Sequence, residues 1–204
     1  MALRPPSMRR RDCLAVLACL AAGGARAQGA GQSAGQSAGQ SAVRAGAFAF
    51  DRPEGGALPL ADYAGRPVLI VNTATACGFA GQLTGMQGLW TRFGGRGLGV
   101  VAVPSPDFGN QEPLDGVAIA EAARQNHGVT FPVAAKTHVR GPAAHPFYRW
   151  AAEQRPGQTP QWNFHKYLVG RDGRRVQGFP TATEPDAPAL LRAVEAALAA
   201  SPAA

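Results

Sequence analysis

The chain has 204 residues, 46% of them hydrophobic, and carries 20 Lys and Arg against 13 Asp and Glu, a formal +7. That balance does not mark a nucleic-acid binder, because no basic stripe interleaves with aromatic residues. The chain has three cysteines, two of which, Cys13 and Cys19, lie close to its N-terminus.

The N-terminus accounts for much of the charge. Arg9, Arg10 and Arg11 precede an apolar run from Leu14 to Ala22, and Ala25-Arg26-Ala27 has the small-residue form of a cleavage site. This is the three-part pattern of a secretory signal over residues 1–27, and it predicts a periplasmic or secreted protein. The apolar run is well short of the roughly 20 residues that span a bilayer, so no stable membrane span is expected. The adjacent arginines admit a twin-arginine signal and leave the general secretory route open. Cleavage after Ala27 removes five arginines and Asp12, which leaves 15 cationic and 12 acidic side chains, or +3. It also removes Cys13 and Cys19, so Cys77 is the only cysteine of the expected mature chain.

Residues 28–46 contain GQSA three times in succession. Such a composition cannot bury enough apolar area to offset chain ordering and predicts a disordered linker. Residues 47–200 have the length of one domain with a single core. Phe48 to Phe50 and Leu58 to Leu60 flank Glu54-Gly55-Gly56 as a hairpin. Val68 to Val71 is a continuous apolar run, the pattern of a strand buried on both faces. Leu83, Met86, Trp90 and Phe93 follow at helical spacing. Leu98 to Val103 predicts a second buried strand. Asp115 is a candidate N-cap for a helix to about Asn126, stopped by Gly128. Phe131 to Ala135 predicts a short strand, and Pro146 to Gln154 a helix. Lys166 to Val169 and Arg175 to Phe179 flank Arg171-Asp172-Gly173, a hairpin signal. Asp186 or Pro188 opens a last helix with Leu190, Leu191, Val194 and Leu198 inward. This order predicts an α/β fold with a central mixed sheet flanked by helices, as in thioredoxin-like folds.

Cys77 lies in the short loop between the Val68 strand and the Leu83 helix. That is the carboxyl end of a strand, where open α/β sheets place their sites. A cysteine ahead of a helix N-terminus sits in positive potential, which favours the thiolate, the nucleophilic form. The competing reading is a small buried core residue. Cys77-Gly78-Phe79-Ala80 lacks the second cysteine of a C-x-x-C pair, which disfavours thiol–disulfide exchange. His127, His138, His145 and His165 show no ligand spacing, and neither metal nor cofactor is expected.

The segment GRPVLIVNTATACGFAG, with Gly65, Asn72, Cys77 and Gly78, resembles the active-site segment of the glutathione peroxidase family. FGNQEP at 108–113, NHGVTFPVAAK at 126–136, GPAAHPFYRW at 141–150 and WNFHKYLVGRDG at 162–173 continue the resemblance in order. The resemblance implies a thioredoxin-like fold and a cysteine-type, thiol-dependent peroxidase. It implies catalytic roles for Cys77, Gln111, Trp162 and Asn163. Its partners are then a hydroperoxide substrate and a thiol reductant, such as glutathione. The chemistry is consistent: a thiolate cleaves an O–O bond and becomes a sulfenic acid, while amide and indole N–H groups stabilise charge. Taken singly, Gln111 reads as a loop brace, Trp162 as core and Asn163 as a turn residue.

Two departures stand out. Family members commonly carry PCNQFG where residues 104–109 read PSPDFG, and a resolving cysteine where Ala123 stands. An internal disulfide is then impossible, and an external thiol must attack the sulfenic acid. The same departures leave open a binding domain that keeps the fold without the reaction. The short segment from Gln154 to Gln161 favours a monomer.

Overall fold

The computed structural model describes residues 43–201. The expected signal segment and residues 28–42 of the expected linker lie outside them. The chain is already packed at Ala45, which is buried and donates its N–H to the Gly173 carbonyl at 2.7 Å.

The apolar runs become strands and the periodic runs become helices. Strands β1 (Ala49–Asp51) and β2 (Ala57–Pro59) form the expected antiparallel hairpin. Strand β3 (Val68–Thr73) is buried along its whole length, as is β4 (Gly99–Pro104). Between them runs helix α1 (Gln82–Phe93). Helices α2 (Val117–His127) and α3 (Pro146–Gln154) follow, then β5 (Lys166–Val169), β6 (Val176–Phe179) and α4 (Pro188–Ala199). The main sheet has the order β4-β3-β5-β6. β3 and β4 are parallel, and β3–β5 and β5–β6 are antiparallel, so the sheet is mixed as expected.

Successive side chains of a strand point to opposite faces, which is why β3 must be apolar throughout. Leu69 and Val71 face a layer formed by Leu83, Met86, Leu89 and Phe93 of α1 with Leu190 and Val194 of α4. Val68 and Ile70 face Phe147, Tyr148 and Trp150 of α3 and the hairpin residues Phe50 and Leu58. Each fully buried side chain of this size contributes about 1.5–3 kcal/mol. Two apolar layers therefore hold β3 at the centre and fix where its carboxyl end points.

Three local expectations are corrected. Asp115 does not cap α2: Gly116 occupies the cap with φ 55°, and Asp115 pairs with Lys136 at 2.7 Å. Residues 131–135 make one isolated parallel bridge, Ala102 with Val133, and no strand. Pro132 has no N–H to extend a ladder there. On α1 the core position next to Phe93 is taken by Leu89, while Trp90 is only partly buried.

Candidate active site

β3 ends at Thr73, and the chain turns through Ala74 to Gly81 before α1. Cys77 lies in this turn and is 6% exposed. Its carbonyl accepts from Ala80 N at 2.9 Å, and three further i+3 bonds wind residues 79–84 into the helix. The N–H groups of Gly78 and Phe79, directly after the cysteine, have no acceptor among the described residues. Consecutive unpaired amides of this kind favour an anion.

A second loop meets the first. The backbone at Gly109 (φ 65°) and Asn110 (φ 52°) turns left-handed and delivers Gln111. The Gln111 carbonyl accepts from Ala76 N at 2.9 Å, one residue before Cys77. Glu112, only 1% exposed, ties the same two loops from below. Its carboxylate accepts from Thr75 N (3.0 Å), Thr75 Oγ1 (2.7 Å) and Leu114 N (3.3 Å). The sequence gives Glu112 only a loop role, because its partner Thr75 is 37 positions away. A buried carboxylate with three donors is satisfied, and a buried carboxylate without them is costly.

The third segment enters β5. Asn163 is fully buried and donates Nδ2–H to Gln111 Oε1 at 3.1 Å. This bond fixes the Gln111 amide with its oxygen toward Asn163, so its NH2 group is left without an acceptor among the described residues. Asn72, at the end of β3, clamps both sides of Asn163. Its Nδ2 donates to the Trp162 carbonyl at 3.0 Å, and its own carbonyl accepts from Phe164 N at 2.6 Å. Phe164 has φ 66°, a conformation that L residues rarely adopt. Thr181 Oγ1 holds the Asn163 carbonyl at 2.7 Å. The Asn163 Oδ1 atom is buried without a partner among the described residues.

Trp162 is 38% exposed, which overturns the reading of a plain core tryptophan. Its ring packs on Phe108 with centroids 5.9 Å apart, and the Arg140 guanidinium lies 5.3 Å over the other ring of that pair, Phe108. Gln111 and Asn163 therefore touch directly. Trp162 joins them through the chain and through Phe108, and Cys77 joins them through Ala76. The sulfur itself makes no hydrogen bond among the described residues. Catalytic donors commonly close on their target only when substrate is bound.

The PSPDFG departure has a local reason. The Asp107 carboxylate meets His138 Nδ1 at 2.5 Å and accepts from the backbone N–H of Val139 (2.6 Å) and Arg140 (3.1 Å). Burial alone raises a carboxyl, but here the His138 and backbone bonds prevail and hold Asp107 below the usual carboxylate range. The loop before Gln111 is thus anchored to the 138–140 loop.

Beneath the site, Lys166 of β5 is fully buried. Its Nζ donates to Gln82 Oε1 at 2.5 Å and to the Thr183 carbonyl at 2.6 Å. Gln82, the first residue of α1, in turn donates to the Thr181 carbonyl (2.9 Å) and to Glu184 (3.1 Å). Burial pushes the lysine down to about 8, against the opposing pull of Glu184. The start of α1 is in this way locked to the segment that holds Asn163.

The chain is similar to known proteins in sequence and in fold. The glutathione peroxidase family model matches residues 47–152. A hydroperoxy fatty acid reductase of Synechocystis is 38% identical over 148 residues, covering 68% of this chain and 88% of the relative. A glutathione peroxidase of Lactococcus lactis is 35% identical over 142 residues, 68% of this chain and 90% of the relative. The crystal structure of Trgpx in apo form has TM-score 0.65 and 29% identity, covering 79% of this chain and 99% of that one. A thioredoxin-family thiol:disulfide interchange protein of Chlorobium tepidum shares the fold, with TM-score 0.54 at 16% identity over 74% of this chain and 92% of that one. The fold is thioredoxin-like. With its motifs in family order on that fold, the chain belongs to the glutathione peroxidase family, and it is a peroxidase that reduces hydroperoxides with electrons from a thiol.

Proposed function

We propose that Cys77 carries the reaction through a sulfenic acid, with Gln111, Trp162 and Asn163 as its donors. The thiolate attacks one peroxide oxygen, the O–O bond breaks, and the departing alkoxide or hydroxide takes a proton to leave as alcohol or water. An external thiol such as glutathione then attacks the sulfenic sulfur, which releases water and forms a mixed disulfide. A second thiol displaces Cys77 and leaves an oxidised thiol dimer. The observation that carries this reading is the Gln111–Asn163 amide pair, bonded at 3.1 Å and joined to the Cys77 loop at Ala76. It orients a free NH2 group from the loop that touches the cysteine turn, the arrangement that stabilises developing negative charge.

The external thiol follows from the cysteine inventory. Cys77 is the one free cysteine of the described residues, and Ala123 on α2 is buried and offers no sulfur. Hydrogen peroxide and organic hydroperoxides are the proposed substrates; the name of the Synechocystis relative supports a fatty-acid hydroperoxide among them. A peroxide-consumption assay with added thiol tests the reading. The protein should consume peroxide and the Cys77→Ser variant should not; equal rates would refute a role for Cys77.

The basic, apolar and A-R-A segments support export to the periplasm or beyond, with cleavage after Ala27. Intact-mass analysis should find Gln28 at the N-terminus of the exported protein. A cytoplasmic chain that retains Met1 would remove this proposal.

A further inference from the structure

The end of the sheet opposite Cys77 is strongly basic. Val68, at the amino end of β3, pairs with Gly99 and with Val169, and Val169 pairs with Val176. The residues just before β3 and β4 and the turn between β5 and β6 therefore lie together, a full strand length from the Cys77 turn. Arg44 joins them, because Ala45 N donates to the Gly173 carbonyl at 2.7 Å. Arg155 joins them through the bond from its Nε to the Val176 carbonyl. Residues 44–47, 62–67, 94–97, 153–155 and 170–175 carry seven arginines against three acids, Asp62, Glu153 and Asp172. The rest of the described chain carries eight cations and nine acids. The molecule is thus charged unevenly, with its cationic surplus at one end.

Helix ends account for part of this charge. Arg171 Nη1 donates to the Leu198 and Ala200 carbonyls at 3.2 and 2.9 Å, and so closes the negative end of α4. That role does not extend to the others. Arg44 and Arg96 are exposed, and their side chains make no hydrogen bond or ion pair among the described residues. Arg175 is exposed too and meets only Asp172, at 3.5 Å. The Asp172 carboxylate is already engaged, since its Oδ1 accepts from Arg174 N (2.9 Å) and Arg175 N (3.0 Å). Between the β5–β6 turn and α4 the surface opens into a cleft of about 250 Å³. Arg155, Arg171 and Arg175 line it together with Leu168, Val176 and Ala197, and Asp172 is the one acid in its lining.

Guanidinium groups bind phosphate oxygens in two-point fashion, and a rim of them over a small apolar floor matches a phosphodiester with a glycerol beneath it. The other arginines of this end lie outside the cleft, so their charge is spread over a face. A spread of four or more such cations suits an anionic surface better than a single small ion. We propose that this end docks on an anionic phospholipid membrane, with the cleft seating one phosphodiester headgroup between Arg155 and Arg175. Attachment of this kind is peripheral and needs no membrane-spanning helix. It turns the Cys77 end of the sheet away from the membrane, where peroxide and thiol arrive from solution. The proposal is independent of which thiol reduces Cys77.

Co-sedimentation of the full chain with phosphatidylcholine vesicles, with and without phosphatidylglycerol, tests the proposal. Phosphatidylglycerol should tighten binding, and added salt should weaken it. Arg44→Gln, Arg96→Gln and Arg175→Gln should each weaken binding to the phosphatidylglycerol vesicles by about five-fold, and the triple variant by about a hundred-fold. Arg124→Gln, on α2 and outside these segments, should bind as the parent does. None of the three arginines belongs to the proposed catalytic set, so peroxide consumption in solution should be unchanged and serves as the check on folding. Residues 1–27 carry arginines and an apolar run of their own, so hydrogen exchange on the vesicles locates the contact. Amides of residues 171–175 and 198–201 should gain protection. Protection confined to residues before 43, or equal binding by the parent and the triple variant, would overturn the proposal. A short DNA duplex bound as tightly as the vesicles would overturn it in favour of a general polyanion face. Full displacement by inorganic phosphate at constant ionic strength would assign the cleft to a free phosphate instead.

Discussion

Asn163 is the residue on which the proposed site turns. It is fully buried, its side chain fixes Gln111, and its backbone is clamped by Asn72 and Thr181. Trp162 beside it is 38% exposed, which the proposed donor role requires. Trp162→Phe keeps most of the bulk and the contact with Phe108 but removes the indole N–H. Peroxide reduction by this variant should slow by roughly 10²–10³-fold, the scale of one preorganised donor. A rate equal to the parent's would return Trp162 to a packing role. His165, two residues on, gives a second prediction. Burial, and then the neighbouring Lys166, hold its imidazole down at about 4. Its folded value lies below the unfolded 6.5, so the unfolded chain binds the proton first as pH falls. Stability should therefore drop between pH 6.5 and 4. The carboxyls of Asp107 and Asp172, also held low, give up their contribution only as pH falls past about 3.8. Urea midpoints at neutral and acid pH check this. His165→Gln should flatten the slope in that window, and an unchanged slope would assign the acid sensitivity to another group.

The elements were legible in the sequence to the extent that local chemistry sets them. β3 and β4 read correctly because burial on both faces demands an unbroken apolar run, and both strands are fully buried. α3 read correctly to its ends, since Pro146 opens it and its aromatic residues share a face. Legibility failed where a distant partner decided the outcome. Asp115 has the right type for an N-cap, but Lys136 holds its side chain. The same holds for Glu112 and Asn72, which fasten the site and whose partners lie 37 and 90 positions away. The four proposed site residues are grouped by the family pattern; their chain spacing alone says nothing of the Gln111–Asn163 bond across 52 positions. Asp107 is the informative case at this scale. It departs from the family pattern, yet it joins the loop before Gln111 to the loop 138–140 through three contacts. Asp107→Ala leaves the Val139 and Arg140 amides unpaired and should cost about 1.5–3 kcal/mol, the worth of hydrogen bonds to a charged group. It should also slow peroxide reduction by loosening Phe108 under Trp162. Chemical denaturation and a peroxide assay on one preparation check both, and an unchanged midpoint would show that this anchor is dispensable.

At the scale of the whole molecule, the sheet brings three segments to one place. The β3 turn carries Cys77, the loop after β4 carries Gln111, and the entry to β5 carries Trp162 and Asn163. The strand order β4-β3-β5 makes these segments neighbours, so the site is a consequence of topology as much as of the residues. Lys166 and Glu112 fasten the same three segments from within the fold. No helix of the described residues is long and apolar enough to cross a membrane. Cys77 is the lone cysteine of the described residues, and the proposal above has an external thiol resolve it. Mass spectrometry of the protein after one equivalent of peroxide, with and without glutathione, tests that claim most directly. Without thiol, Cys77 should gain one oxygen, and excess peroxide should add a second that ordinary thiols do not remove. With glutathione, Cys77 should carry a single glutathionyl group that a further thiol releases. A folded protein whose Cys77 stays unmodified under peroxide would contradict the account.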